Sequence, residues 1–182
     1  MRELGMYVSA NTEMDPECEL LGQILAQITP SVRWTIKRTP PSHEKSDPDW
    51  AALAQSDFYV ILVGRDITAP IGVEWRAARE RAITTFAYRN LQATPSPALS
   101  AFVRHTDVEW RGFDSAHAFA SDLKQRLVRQ LIDGTPGYGL SLEEIEDLAA
   151  QLSGTNNEDP KEPGEERRGA GRGGVILPST FA

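Results

Sequence analysis

The 182-residue sequence predicts an α/β fold: a parallel sheet with helices on both of its faces. Three observations predict it. First, Phe58-Tyr59-Val60-Ile61-Leu62-Val63 is an unbroken apolar run, rich in β-branched and aromatic residues and closed by Gly64. Such a run suits a strand buried on both faces, at the centre of a parallel sheet. Second, Arg65 to Pro70 cannot extend that strand, and from Ile71 a helix pattern starts, with Val73, Ala77, Ala78 and Ala82 at helical spacing. Third, strand-like and helix-like segments alternate along residues 1–133, the pattern of crossover units rather than of hairpins.

In chain order, Leu4 to Ala10 is the first strand, ending in small residues, and Ser9 to Thr12 makes a polar loop at its carboxyl end. Asp15 is a predicted N-cap, with Pro16 at the first helical position and Glu17 and Glu19 placed against the helix dipole. Leu20, Leu21, Ile24, Leu25 and Ile28 form the stripe of that helix, and Thr29-Pro30 ends it. Val32 to Thr39 alternates, with Val32, Trp34 and Ile36 on one side, as expected of a strand at the sheet edge with one solvated face. A loop through Pro48 and a short helix from Asp49 to Gln55 lead into the central strand. Thr84 to Tyr88 reads as the fourth strand, Asn90 to Ser100 as loop, Ala98 to Val103 as a helical turn, and Arg104 to Trp110 as a fifth strand. Asp114 or Ser115 then caps an amphipathic helix in which Phe119, Leu123, Leu127 and Leu131 recur every fourth residue. Gly134-Thr135-Pro136-Gly137 breaks it.

Residues 134–152 read as a linker and a short last helix beyond the main fold, opened by the capping box Ser141-Leu142-Glu143-Glu144. From 153 to 182 the composition turns to Gly, Pro, Glu and Arg, too polar to offset the entropy of ordering, so disorder is expected there. An apolar tip, Val175-Ile176-Leu177, ends this tail and could add as a strand to a partner's sheet edge.

Four or five strands in a domain of this length fit the smaller doubly wound form, flavodoxin-like, with strand order 2-1-3-4-5. In that order the loops after the first and third strands lie side by side at the carboxyl rim, where ligands bind in open α/β sheets. The topology therefore brings Ser9, Asn11 and Thr12 near Arg65, Asp66 and Glu74, with Glu74 expected in the first turn of its helix.

Composition narrows the function classes. The net charge is −7, which argues against a nucleic-acid surface. One cysteine, Cys18, allows no internal disulfide and suggests a reducing compartment. With no histidine near it in sequence, it reads as a half-buried side chain rather than a nucleophile. No segment has the apolar length of a membrane span, and MRELGMYVSA lacks the core of a signal peptide, so a cytoplasmic location without membrane partner is expected. His43, His105 and His117 are scattered and predict no metal site. The Gly169, Gly171, Gly174 spacing matches a dinucleotide fingerprint but has no strand before it or helix after it.

The stretches MYVSANTEMDPECELLGQIL and SDFYVILVGRDITAPIGVEWRAA resemble the TIR-like domains of bacterial signalling and conflict proteins, over residues 1–133. The resemblance implies a nucleotide ligand, with no resident cofactor, and a glutamate opening the helix after the central strand. In the related TIR NAD-cleaving enzymes and nucleoside 2-deoxyribosyltransferases that glutamate serves cleavage of an N-glycosidic bond. Carried onto this chain, Glu74 is the candidate catalytic carboxylate, stabilising or attacking the positive charge that develops on the ribose. Ser9, Asn11, Thr12, Arg65 and Asp66 are candidate ligand contacts, and Trp75 could stack on a base or belong to the core. Trp75 follows the glutamate here, whereas the enzymes usually carry an aromatic residue before it.

Two readings stay open. One is a signalling or defence effector that binds a nucleotide and cleaves NAD or a relative through Glu74, kept ionised by the helix N-terminus. The other is a non-catalytic nucleotide-sensing or protein-interaction module, docked to a protein partner or to itself through the tail, with Glu74 favoured in a first turn by the dipole alone. Deleting residues 174–182 is expected to abolish capture of such a partner in a pulldown while leaving the melting temperature unchanged; an unaltered set of captured proteins would remove the tail from consideration.

Overall fold

The computed structural model describes residues 2–28, 32–40, 47–135 and 137–155; the apolar tip Val175-Ile176-Leu177 and His43 lie outside them. The strands are β1 (Arg2–Ala10), β2 (Val32–Arg38), β3 (Phe58–Val63), β4 (Thr84–Asn90) and β5 (Trp110–Phe113). The helices are α1 (Asp15–Ala26), α2 (Trp50–Gln55), α3 (Ala69–Glu80), α4 (Pro97–His105), α5 (Ala116–Asp133) and α6 (Leu142–Thr155). A 3-10 turn, Thr12–Met14, precedes α1. Every ladder is parallel and the order is β2-β1-β3-β4-β5, the flavodoxin-like arrangement expected from the sequence.

β3 carries the centre. All its residues are buried, and the period of two sends Phe58, Val60 and Leu62 to one face and Tyr59, Ile61 and Val63 to the other. The first face packs under α1 and α5, where Leu21, Leu25, Leu123, Leu127 and Leu131 are buried. The second packs under α2, α3 and α4, with Leu53, Ile71, Trp75, Ala78 and Leu99. Side-chain caps fix several helix starts. Asp49 accepts from the Ala52 amide at 2.9 Å, Ser96 from Leu99 at 3.0 Å and Ser115 from Ala118 at 3.2 Å. The capping box at α6 forms in both directions, Ser141 N to Glu144 Oε2 at 2.6 Å and Glu144 N to Ser141 Oγ at 3.3 Å.

Four local readings are corrected. Arg104 and His105 close α4 rather than opening a strand, and β5 begins at Trp110. The cause is Pro97: it reads as a loop residue, yet it occupies the first turn of a helix capped by Ser96, where its missing N–H costs nothing. Asp15 is not a side-chain cap; the 3-10 turn takes over that end and frees its carboxylate for Arg38. α3 starts at Ala69, not Ile71, and its inward face is Ile71, Glu74, Trp75 and Ala78, while Val73 is 54% exposed.

The fourth correction concerns α6, read in sequence as lying beyond the main fold. Leu148 is fully buried in the α1–α5 core, Gln151 Nε2 donates to Ile28 O at 3.0 Å, and the incoming loop lays Tyr138 against Phe58 with ring centroids 5.3 Å apart. The helix is docked on the domain. Leu148→Ala should therefore destabilise the whole unit by about 2–5 kcal/mol, the usual range for a buried leucine. A urea melt followed by tryptophan fluorescence checks this; an unchanged midpoint would mean that α6 packs too loosely to share the cooperative transition.

Candidate functional site

The parallel order sets the loops after β1 and β3 against each other at the carboxyl rim, and hydrogen bonds join them. Asn11 Nδ2 donates to Asp66 O at 3.0 Å, Thr68 Oγ1 to Asn11 Oδ1 at 3.0 Å, and the Arg65 amide to Glu13 Oε1 at 2.9 Å. Gly64 lies where the two loops meet. A Cβ there would lie 2.8 Å from Met14 Cε and 2.9 Å from Glu13 Oε1. The loops and the carboxyl end of β2 enclose a hollow of about 310 Å³, into which Asn11, Thr12, Arg38, Thr39, Arg65 and Asp66 project. A volume of this order fits part of a nucleotide-sized ligand.

Glu74 lies beneath this rim. It is fully buried, on the α3 face that meets β1. Its carboxylate receives three hydroxyl donors: Tyr7 Oη to Oε1 at 2.8 Å, Ser9 Oγ to Oε2 at 2.5 Å and Thr39 Oγ1 to Oε2 at 2.6 Å. Tyr7 and Ser9 come from alternate positions of β1, so both point to the same face, and Thr39 comes from the residue just past β2. Tyr59 Oη is buried in the same region without a hydrogen-bond partner of good geometry, its ring stacked on Tyr7 at 6.4 Å.

The electrostatics differ from the sequence expectation. Glu74 stands in the second turn of α3, whose first turn has no acidic residue, so the dipole acts weakly on it. Burial pushes its pKa above the usual carboxylate value, and the hydrogen bonds from Ser9, Thr39 and Tyr7 oppose the shift without cancelling it. Burial and the neighbouring Glu74 also hold the Tyr7 phenol well above its ordinary value, so Tyr7 is a fixed donor. Asp66, in contrast, is exposed and its pKa is lowered by the Ser96 hydroxyl at 2.5 Å and then by the Ile67 amide at 2.8 Å.

Among the sequence-predicted residues, Asn11, Thr12, Arg65 and Asp66 line the hollow. Ser9 does not; it is fully buried and serves Glu74. Trp75 is core. It is 8% exposed, packed between the sheet and α4 with Tyr59, Phe102 and Trp110, and Arg79 lies over its ring at 5.9 Å. Sequence reasoning missed Tyr7, Arg38 and Thr39. One signal existed: Tyr7 and Ser9 are two polar residues on one face of an otherwise apolar strand, and a buried polar pair asks for a partner.

Two other features carry less chemistry. Burial pushes the Cys18 thiol up to about 11, which keeps it protonated and unreactive. A groove of about 450 Å³ between α1, α5 and α6 holds His117 but no carboxylate. Among the described residues no group of three or more His, Cys, Asp and Glu is placed to hold a metal ion, and no helix is long and apolar enough to cross a membrane.

The raised pKa gives a signed pH dependence. The folded protein holds the Glu74 proton more tightly than the unfolded chain, so this group's stabilising contribution is complete below its ordinary value of 4.5 and is lost as the pH rises through the folded value. Glu74→Gln removes that titration. The melting temperature of the wild type minus that of Glu74→Gln should fall as the pH rises above about 4.5 and then level off. A difference that stays flat from pH 4 to 8 would mean that burial does not shift this carboxyl. No family model matches this chain and no curated protein matches it, so the chemistry of the site has to be read from its own atoms.

Proposed function

We propose that this chain is a TIR-like signalling or defence effector that binds a nucleotide in the rim hollow and cleaves its N-glycosidic bond, with Glu74 as the central carboxylate. The observation that carries the reading is the placement of one fully buried glutamate, hydrogen-bonded by three hydroxyls, directly beneath a polar hollow at the switch point of the sheet. Burying a carboxylate is costly, and a packing role would be met as well by an apolar side chain. A buried carboxylate with a raised pKa next to a cleft is the pattern of a reactive group.

The chemistry follows from charge. Cleaving the bond between ribose and a nicotinamide or other base builds positive charge on the sugar, and an ionised glutamate in a dry site stabilises that charge or adds to the anomeric carbon. Asn11, Thr12 and Asp66 supply donors and acceptors for ribose hydroxyls, and Arg65 and Arg38 supply cations for phosphates. Because the working form is the carboxylate, the rate should rise with pH through the elevated Glu74 pKa, in the direction opposite to its effect on stability.

One observation favours a second reading. Glu74 has no exposed surface, so no ligand atom in the hollow touches it in this conformation. On that reading the domain senses a nucleotide without cutting it, and Glu74 fastens α3 to the sheet. Incubation of the purified chain with NAD and measurement of free nicotinamide separates the two. The catalytic reading expects release that falls at least about a hundredfold in Glu74→Gln, by analogy with loss of a principal transition-state contact. Equal release by both proteins would refute it, and absence of release from both, with NAD still bound, would support the sensor.

A further inference from the structure

The route from the hollow to Glu74 passes through one side chain. Of the residues that line the hollow, Thr39 is the one that also hydrogen-bonds the glutamate; Tyr7 and Ser9 reach it from inside the core. Thr39 is 5% exposed and sits between the two. We infer that Thr39 is a removable cap on Glu74, and that the Arg38–Asp15 ion pair holds the cap in place. The inference rests on the proposal that the hollow is the ligand site, and it specifies how that site is opened.

The cap is held lightly. β2 is an edge strand, paired with β1 alone, so its carboxyl end is hydrogen-bonded from one side. Past the last ladder pair, Val8 with Arg38, three contacts fix Thr39: its amide to Val8 O at 2.9 Å, and its hydroxyl to Glu74 Oε2 at 2.6 Å and, at a longer 3.4 Å, to Val8 O. The remaining hold is Arg38, whose Nη2 donates to Asp15 Oδ1 at 2.5 Å and to Asn11 O at 3.0 Å, crossing over the end of β1. Both members of this pair reach solvent, with side chains 31% and 49% exposed, and Arg38 Nε is buried without a partner. The guanidinium is thus incompletely satisfied and faces the hollow, where an anionic group of a ligand competes with Asp15 for it. Drawing Arg38 toward the ligand moves the adjoining Thr39. That removes one of the three donors to Glu74 and opens its Oε2 to the hollow. A ligand bearing phosphate therefore uncovers the carboxylate; a neutral nucleoside lacks the means.

Residue-resolved chemical labelling tests the cap without depending on turnover. The full chain is treated with a water-soluble carbodiimide and an amine, and modification of each carboxyl is followed by peptide mass spectrometry, with exposed Glu80 as internal reference. In the wild type Glu74 should react at least a hundredfold more slowly than Glu80. Thr39→Ala should raise the Glu74 rate at least tenfold with Glu80 unchanged, Thr39→Ser should restore protection, and Asp15→Asn should raise the Glu74 rate several-fold. If Thr39→Ala does not fold, the solvent-exposed Asp15→Asn decides. Wild-type labelling at the Glu80 rate, or folded variants with wild-type protection, would overturn the cap. Nicotinamide release is measured in parallel. Labelling that opens in the variants with no turnover anywhere leaves the cap standing and removes glycosidic cleavage; turnover in the wild type with Glu74 protection unaltered in every variant removes the cap and leaves the chemistry.

Discussion

A carboxylate cannot be withdrawn from water without donors to replace it, and that constraint ties this domain together at one end. Glu74, carried by α3, is withdrawn completely, and its three donors come from two neighbouring strands: Tyr7 and Ser9 of β1, and Thr39 just past the end of β2. Each of these must be in register for the others to be satisfied. A slip of β1 by one residue would turn Tyr7 and Ser9 to the α1–α5 face and leave the charge without them. The polar cluster therefore fixes the relation between the first crossover unit and the second more tightly than apolar contacts alone, which tolerate small shifts.

The two faces of the sheet divide the work. Under α1, α5 and α6 the core is mostly Leu, Ile, Val, Met and Phe, with one buried tyrosine, Tyr88, whose hydroxyl donates to Asp122 at 2.8 Å. Under α2, α3 and α4 it contains Tyr7, Tyr59, Trp75 and the Glu74 cluster, with Trp75, Phe102 and Trp110 forming an aromatic wedge behind the glutamate. The wedge matters for the site because it clamps the helix that carries Glu74: α3 is pinned to the sheet by Ile71, Trp75 and Ala78 on either side of the charged residue. Function, on the reading proposed here, is placed on the rigid element, and freedom is left to the edge strand beside it.

Much of this architecture was legible in the sequence because it rests on long, regular signals. β3 announced itself by continuous apolarity, α5 by Phe119, Leu123, Leu127 and Leu131 at every fourth residue, and the strand order by alternation of element types. The rest failed where a single residue carried two meanings. Pro97 looks like a loop and is a helix start. Val73 looks like part of an apolar stripe and faces water, because the inward position next to it is taken by a glutamate, which no amphipathic template expects inside. Glu74 is legible by its position after β3, but its environment is not: α3 starts two residues earlier than the pattern from Ile71 suggests, which moves Glu74 from the first turn, where the dipole would hold it ionised, into the second, where it is buried with an elevated pKa. Thr39 and Arg38 could not be found this way, since their roles depend on contacts across the sheet and not on local pattern.

Gly64 has a wider significance than its single hydrogen side chain suggests. The two crossover loops touch there, with Met14 and Glu13 packed into the space where a methyl would sit, and Glu13 in turn fastens the Arg65 amide. The contact between the two loops is thus tied to the smallest side chain available. A Cβ at position 64 would turn the Met14 and Glu13 side-chain ends aside, and Glu13 would lose its bond to the Arg65 amide and its place in the wall of the hollow, so one added methyl is felt first as a loosened joint between the two loops.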